Sequence, residues 1–369
     1  MDVLRPYGLA QASPKEAHAK WRFEMRHRFL ASLGILTAVI VMMSLTRVPV
    51  AGAQSPASSS SPKPSAKAAA KAEKWVPLHT AWGEPDLRGV WSYATVTPLE
   101  RPDQLAGRDL LTDVEVAAAD ADARTSADRR DGTPEADLAR AYNAFWYDRG
   151  KSIGRTSLIV EPADGRLPPL TPEGQRRRAA AAERQRAHPF DSFEDRPLQE
   201  RCIIYHGVPP LPSGYNNTYQ IFQTPGYVAI LDENIHDVRM IPLDGRPHVG
   251  PSIRQWNGNS RGHWEGNTLV VETTNYSPKT TFRFPVAAET LRAVERFTRV
   301  AADKIDYRFT IDDPTTYTRP WTVALPLENL PDYIIYEYAC HEGNYALEHG
   351  LSGARNLEKA AATATSQSK

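Results

Sequence analysis

From residue 201 onward the chain is a succession of strand-length runs joined by links too short for a crossover, and few folds accept that pattern. The runs 217–223, 227–232, 236–243, 267–276, 291–300, 304–312, 317–325 and 333–340 are rich in Val, Ile, Tyr, Phe and Thr. Tight links between them make antiparallel neighbours. The clearest is 304–312, where Ile305, Tyr307, Phe309 and Ile311 alternate with Asp306, Arg308, Thr310 and Asp312, giving one apolar and one polar face. Elsewhere both faces carry something to bury: Ile334, Tyr336 and Tyr338 oppose Tyr333, Ile335 and Glu337. Such strands suit a sheet that curls or closes on itself, filled inside and partly covered outside. The 30 prolines fit many short elements with rigid loops better than a helical bundle. The expected class is mainly β (α+β), an antiparallel curled sheet or barrel with two or three peripheral helices.

Three helices are expected ahead of the strands, after a first strand at 86–93. Thr112 and Glu115 form a capping box before an Ala-rich segment reaching about Arg129. Thr133 and Pro134 start a second helix ending near Tyr147, with Leu138, Tyr142, Phe145 and Trp146 on one stripe. Thr171 and Pro172 cap a third, which carries Arg176, Arg177, Arg178, Arg184 and Arg186. Lys plus Arg and Asp plus Glu both number 44, so this run reads as a solvated helical face and no nucleic-acid partner is expected. A short helix is expected over 345–357, and 358–369 reads as a disordered tail.

Arg26 and Arg28 precede an uncharged run over 29–45, and Ala51, Gly52 and Ala53 supply small residues before Gln54. This is the pattern of an export signal over 1–53, with Met25 as a conventional start for the n-region MRHR. The alternative is a retained membrane anchor, the run being slightly shorter than the ~20 residues a span needs. Both readings place the remainder outside the cytoplasm, in the periplasm or beyond. Residues 54–74, mostly Ser, Pro, Ala and Lys, read as a flexible tether. One domain then spans 75–357, with its helical covering region in 75–200 and its barrel-like region in 201–357.

Cys202 and Cys340 are the two cysteines, and in an exported chain an even number points to a disulfide. The alternative is a catalytic thiol at Cys340 beside His341. Adjacent strand residues face opposite ways, which works against that pair.

The polar residues concentrate in three places. In 234–239, Asp237 and Arg239 share one strand face and His236, Val238 and Met240 the other. His236 is then either a general acid or base pointing into a cavity or a hydrogen-bonded structural histidine. The stretch 256–264 combines Trp256, Asn259, Arg261, His263 and Trp264 in a Gly-rich loop. It either grips an aromatic or sugar ring or plugs a barrel end with its indoles. In 338–344, His341 and Glu342 begin like a zinc-protease helix, but Tyr345 stands where the second histidine belongs. No metal or cofactor is expected, and no P-loop, G-x-S-x-G or G-x-G-x-x-G occurs. Glu295 and Glu337 lie in strand patterns with largely apolar neighbours, and a carboxylate inside a barrel acquires a raised pKa.

Gly89-x-Trp91 resembles the first-strand motif of lipocalins, whose Trp closes one end of the barrel. Longer runs, 85–91 (PDLRGVW), 157–162 (SLIVEP), 234–248, 264–271 (WEGNTLVV), 309–314 (FTIDDP) and 338–344 (YACHEGN), resemble a large family of exported bacterial proteins to which no activity attaches. The resemblance covers nearly all of the chain after the tether and implies a lipocalin-like (calycin-like) barrel. The helical insert before Arg201 departs from a minimal eight-stranded lipocalin.

Three functions are compatible with these readings. The first is a small-molecule binder holding a partly apolar, aromatic, lipid-like or sugar-like ligand inside the barrel. Tyr215, Asn217, His236, Arg239, Trp256, Asn259, Arg261, His263, Trp264 and His341 would line or rim its site. The second is a cofactor-free hydrolase, lyase or isomerase with His236 and His341 as acid and base, Asp237 or Glu337 in support, and Arg239 or Arg261 holding negative charge. The third is a cell-envelope interaction protein, which requires a broad exposed apolar patch.

Overall fold

A computed structural model describes residues 75–127, 147–148, 150–280 and 289–367. The export signal, the tether and the second helix apart from Tyr147 lie outside these residues. The described chain forms strands β1 (Gly89–Ser92), β2 (Ile159–Glu161), β3 (Thr218–Thr224), β4 (Tyr227–Asp232), β5 (Val238–Pro242), β6 (Asn259–Glu265), β7 (Thr268–Thr274), β8 (Arg292–Ala301), β9 (Lys304–Asp312), β10 (Trp321–Ala324) and β11 (Leu327–Asn329). Helices α1 (Asp113–Ala127), α2 (Pro172–Ala187) and α3 (Ala346–Gln367) accompany them.

Nine strands follow one another in the order β5-β4-β3-β1-β11-β9-β8-β7-β6, each antiparallel to its neighbour. The long β9 also carries β10 on its second half, and β2 pairs with β10. The path curls until its ends, β5 and β6, lie side by side without ladder hydrogen bonds. The result is a nearly closed antiparallel barrel, the class expected from the strand pattern. Its seam depends on a missing side chain: a Cβ on Gly262 of β6 would sit 2.8 Å from both Ile241 and Leu243. Arg261 reaches across the seam to Asp244 at 3.2 Å.

Alternation dictates what faces inward. Ile305, Tyr307, Phe309 and Ile311 of β9 are buried, as are Tyr219 and Ile221 of β3, Ala293 and Phe297 of β8, and Trp321 and Val323 of β10. Phe297 stacks on Tyr307 at 4.5 Å between ring centroids, and Phe309 meets Trp321 edge-on at 6.3 Å. Trp91 is fully buried, donates Nε1–H to the Leu87 carbonyl at 2.9 Å and lies under the Arg299 guanidinium at 5.2 Å. The interior is therefore packed with a cluster of aromatic side chains among branched aliphatic ones.

The caps read from sequence form as expected. The side chains of Thr112 and Glu115 each accept from the other's backbone N–H at the start of α1, and Thr171 Oγ1 accepts from Gly174 N at 3.0 Å ahead of α2. Four expectations are corrected. Residues 333–340 form no strand; Pro326 divides the preceding run so that β10 and β11 occupy β9's free edge, and the chain then crosses the barrel end. The polar stretch around 256–264 is not all loop, because 259–265 is strand β6 with Ser260, Gly262 and Trp264 inward. The faces of β5 are reversed: Val238 and Met240 are exposed, while Arg239 and Ile241 are buried. The tail is helical through Gln367, where Ala-rich sequence of high helix propensity extends α3.

Candidate functional site

The end of the barrel where β4 stops at Asp232 and β3 begins at Thr218 is roofed by residues 330–346. Four ties hold this roof. The Tyr333 hydroxyl donates to Glu233, and His236 Nδ1 lies 3.0 Å from the Tyr338 carbonyl, which it meets as an N–H donor. Cys340 is joined to Cys202, with Cα atoms 5.8 Å apart, and Asn344 Nδ2 donates to the Glu200 carbonyl at 3.0 Å. Beneath the roof lies a cavity of about 1130 Å³ whose lining includes Tyr215, Tyr333, Tyr338, Asp148, Glu233, Glu337 and Glu342. A second cleft of about 670 Å³, lined mainly by Pro and Leu side chains with Tyr317, flanks α2.

Backbone strain collects around the roofed end. Cys202, Asn216, Ile235 and His236 all have positive φ, between 47° and 61°, which is costly for a β-branched Ile above all. The turn that forces Ile235 into this region buries it and sends the neighbouring His236 outward to the roof.

Under the cavity floor is a buried polar cluster that sequence reading did not single out. His206, with no exposed side-chain surface, has Nδ1 2.8 Å from the Tyr93 hydroxyl and 3.5 Å from Asp232, and Nε2 2.8 Å from Ser213 Oγ. Ser213 Oγ in turn donates to the Tyr215 carbonyl at 2.9 Å. The simplest proton assignment has Nε2–H donating to Ser213 and Nδ1 accepting from Tyr93. His206 then ties three elements together and does not take a proton from the serine. Burial pushes the Asp232 carboxyl up, against the opposing pull of His206, and pushes the Tyr93 hydroxyl well up. Beside this cluster a cavity of about 20 Å³ is lined by His206, Asp232, Asn234, Asp237, Arg239 and Asn257, room for about one water. Among the described residues, neither amide atom of the buried Asn234 nor Oδ1 of Asn257 has a hydrogen-bond partner.

Deeper in the barrel Arg239 meets Glu295. Nη1 donates to Oε2 and Nη2 to Oε1, the latter at 3.1 Å, while the Tyr307 hydroxyl donates to Oε1 at 2.8 Å. Burial works against the charge on Arg239, but the carboxylate so close to it prevails and raises the pKa. This pair explains the reversed faces of β5.

The other sequence candidates are dispersed. Glu337 and Tyr215 line the end cavity, whereas His236 and His341 do not; His341 is exposed. Asp237 is exposed and accepts from Asn257. Asn217 is fully buried, donating to the carbonyls of Asp148 and Ser213 at 2.9 and 3.2 Å and accepting from Ser213 N. Asn259 Oδ1 meets His248 Nδ1 at 3.0 Å, and the exposed His263 lies 3.2 Å from Glu265. Trp256 accepts from Thr280 Oγ1 through its carbonyl. Trp264 packs against the barrel core, so Trp264→Ala is expected to cost about 3 kcal/mol of stability in chemical denaturation. Unchanged stability would instead mark its indole as a ligand contact.

Comparison with protein-family models, with curated proteins and with solved structures returns no match for this chain. The calycin-like character is therefore one of architecture: a nearly closed antiparallel barrel.

Proposed function

We propose that the protein is a barrel-shaped binding protein that holds a small, partly apolar ligand, and that its site is the roofed cavity at the barrel end. The volume under the roof is what carries this reading. At about 1130 Å³ it is slightly larger than the usual small-molecule site and roomy enough for one, whereas the barrel interior is occupied by Tyr219, Phe297, Tyr307 and Phe309. Tyrosine rings with a few convergent polar groups suit an aromatic or amphipathic molecule. The disulfide is compatible with an oxidising extracytoplasmic compartment, as export by the segment 1–53 requires.

The acid–base alternative is less well supported, because the end cavity is lined by Glu337 but by neither His236 nor His341. A cell-envelope partner is supported by one observation, the exposed outer face of β3, β4 and β5 with Phe222, Tyr227, Val238 and Met240. Binding in the cavity is tested by thermal-shift screening of the disulfide-linked protein against a small-molecule library, followed by titration of the hits. Ala339 lines the cavity and is exposed, so Ala339→Trp should fill space without disturbing the core. Hits should lose at least about tenfold in affinity, roughly 1.4 kcal/mol. Undiminished binding to that variant would remove the cavity from consideration.

A further inference from the structure

Glu233 is only 3 % exposed, and it faces the end cavity. The side-chain contact it makes is with the Tyr333 hydroxyl, and among the described residues no Lys, Arg or His lies within ion-pair distance of it. A carboxylate at a cavity wall with no nearby cationic side chain favours a cationic ligand over an anionic one. The surroundings deepen the imbalance. Asp148, Glu337 and Glu342 share the lining, the fifth carboxylate, Glu200, is already paired with Arg196 at 2.7 Å, and no described Lys, Arg or His contributes to the wall. Desolvation raises the Asp148 carboxyl, and the charge of Glu233 adds to that rise; burial and Glu233 likewise raise the Tyr333 hydroxyl. Tyr215, Tyr333 and Tyr338 line the same space, and aromatic rings attract cations.

We infer that the roofed cavity is selective for organic cations, an ammonium group on a partly apolar body, with the positive end directed to Glu233 and Glu337 and the body against the tyrosines. This rests on the end cavity being the ligand site. An ammonium brings positive charge to a wall whose described residues supply carboxylates and no Lys, Arg or His, and the acidic wall repels anionic ligands of the same shape.

The test is calorimetric titration of the disulfide-linked protein with choline, with its uncharged carbon isostere 3,3-dimethylbutan-1-ol, and with benzyltrimethylammonium. The cations should bind at least about tenfold tighter than the isostere, with benzyltrimethylammonium the tighter of the two. Glu233→Gln keeps the acceptor for Tyr333 and should reduce cation affinity about tenfold; Glu337→Gln, at an exposed position, should do so without any risk to folding. Affinity should fall as the pH is lowered, beginning above the usual Asp range because the Asp148 carboxyl is raised. Equal affinity for choline and its isostere would overturn the cation inference while leaving the cavity as a binding site. Cation binding that Ala339→Trp leaves intact would overturn both, and absence of cation binding at millimolar concentration would overturn the inference.

Discussion

Glu295→Ala will lower the unfolding free energy by about 3–5 kcal/mol, read as a reduced urea midpoint, because it strands a buried guanidinium. Arg239 is 9 % exposed and Glu295 fully buried, and the carboxylate accepts from both Arg239 nitrogens and from Tyr307. Removing Glu295 leaves a buried cation and a buried phenolic hydroxyl without the carboxylate that accepts from both. Replacing both members, as Arg239→Met with Glu295→Leu, should recover most of the loss, since an apolar pair of similar volume avoids the desolvation of two charges. A single Glu295→Ala variant within 1 kcal/mol of the parent would show that the pair is hydrated, contrary to the packing described here.

Removing the disulfide, as Cys202→Ala with Cys340→Ala, is the other large effect. The bridge closes a separation of 138 residues, for which the chain-entropy model gives about 5 kcal/mol, an upper value. Its loss should also be felt locally. The roof residues 333–345 make no ladder hydrogen bonds, so without the bridge they lean on ties such as those of Tyr333, His236 and Asn344. Hydrogen exchange should therefore rise over 333–345 more than over β7, β8 or β9. Uniform destabilisation with unchanged relative protection would mean that the roof is held by its hydrogen bonds alone.

What the sequence revealed, and what it hid, follows from the range of the interactions. The alternation of 304–312 reports its own burial, and the boxes at Thr112 and Thr171 are satisfied within a turn, so both could be read directly. The pairing of Cys202 with Cys340 followed from count and compartment. The orientation of β5 could not be read, because Arg239 faces inward only on account of Glu295, which lies on a strand far along the chain. Strand β6 was masked by its own fitness for the seam: its inward positions are Ser260, Gly262 and Trp264, and a glycine is what close approach to Ile241 demands. The segment 333–340 has strand-like composition, yet β9's free edge was already taken. His206 and Glu233 drew no notice because one sits in a proline-rich loop and the other follows a strand end, with nothing local to signal burial.

The position of β1 between β3 and β11, with Trp91 opposite both Tyr219 and Asn329, constrains how the molecule can be made. The first stave of the wall is the earliest to be synthesised, and one of its two neighbours is among the last. A chain synthesised N-terminus first must carry that stave incompletely paired until β11 has been made. Fragments ending before residue 327 would leave a lengthwise gap, and assembly should be slow and vulnerable to interruption.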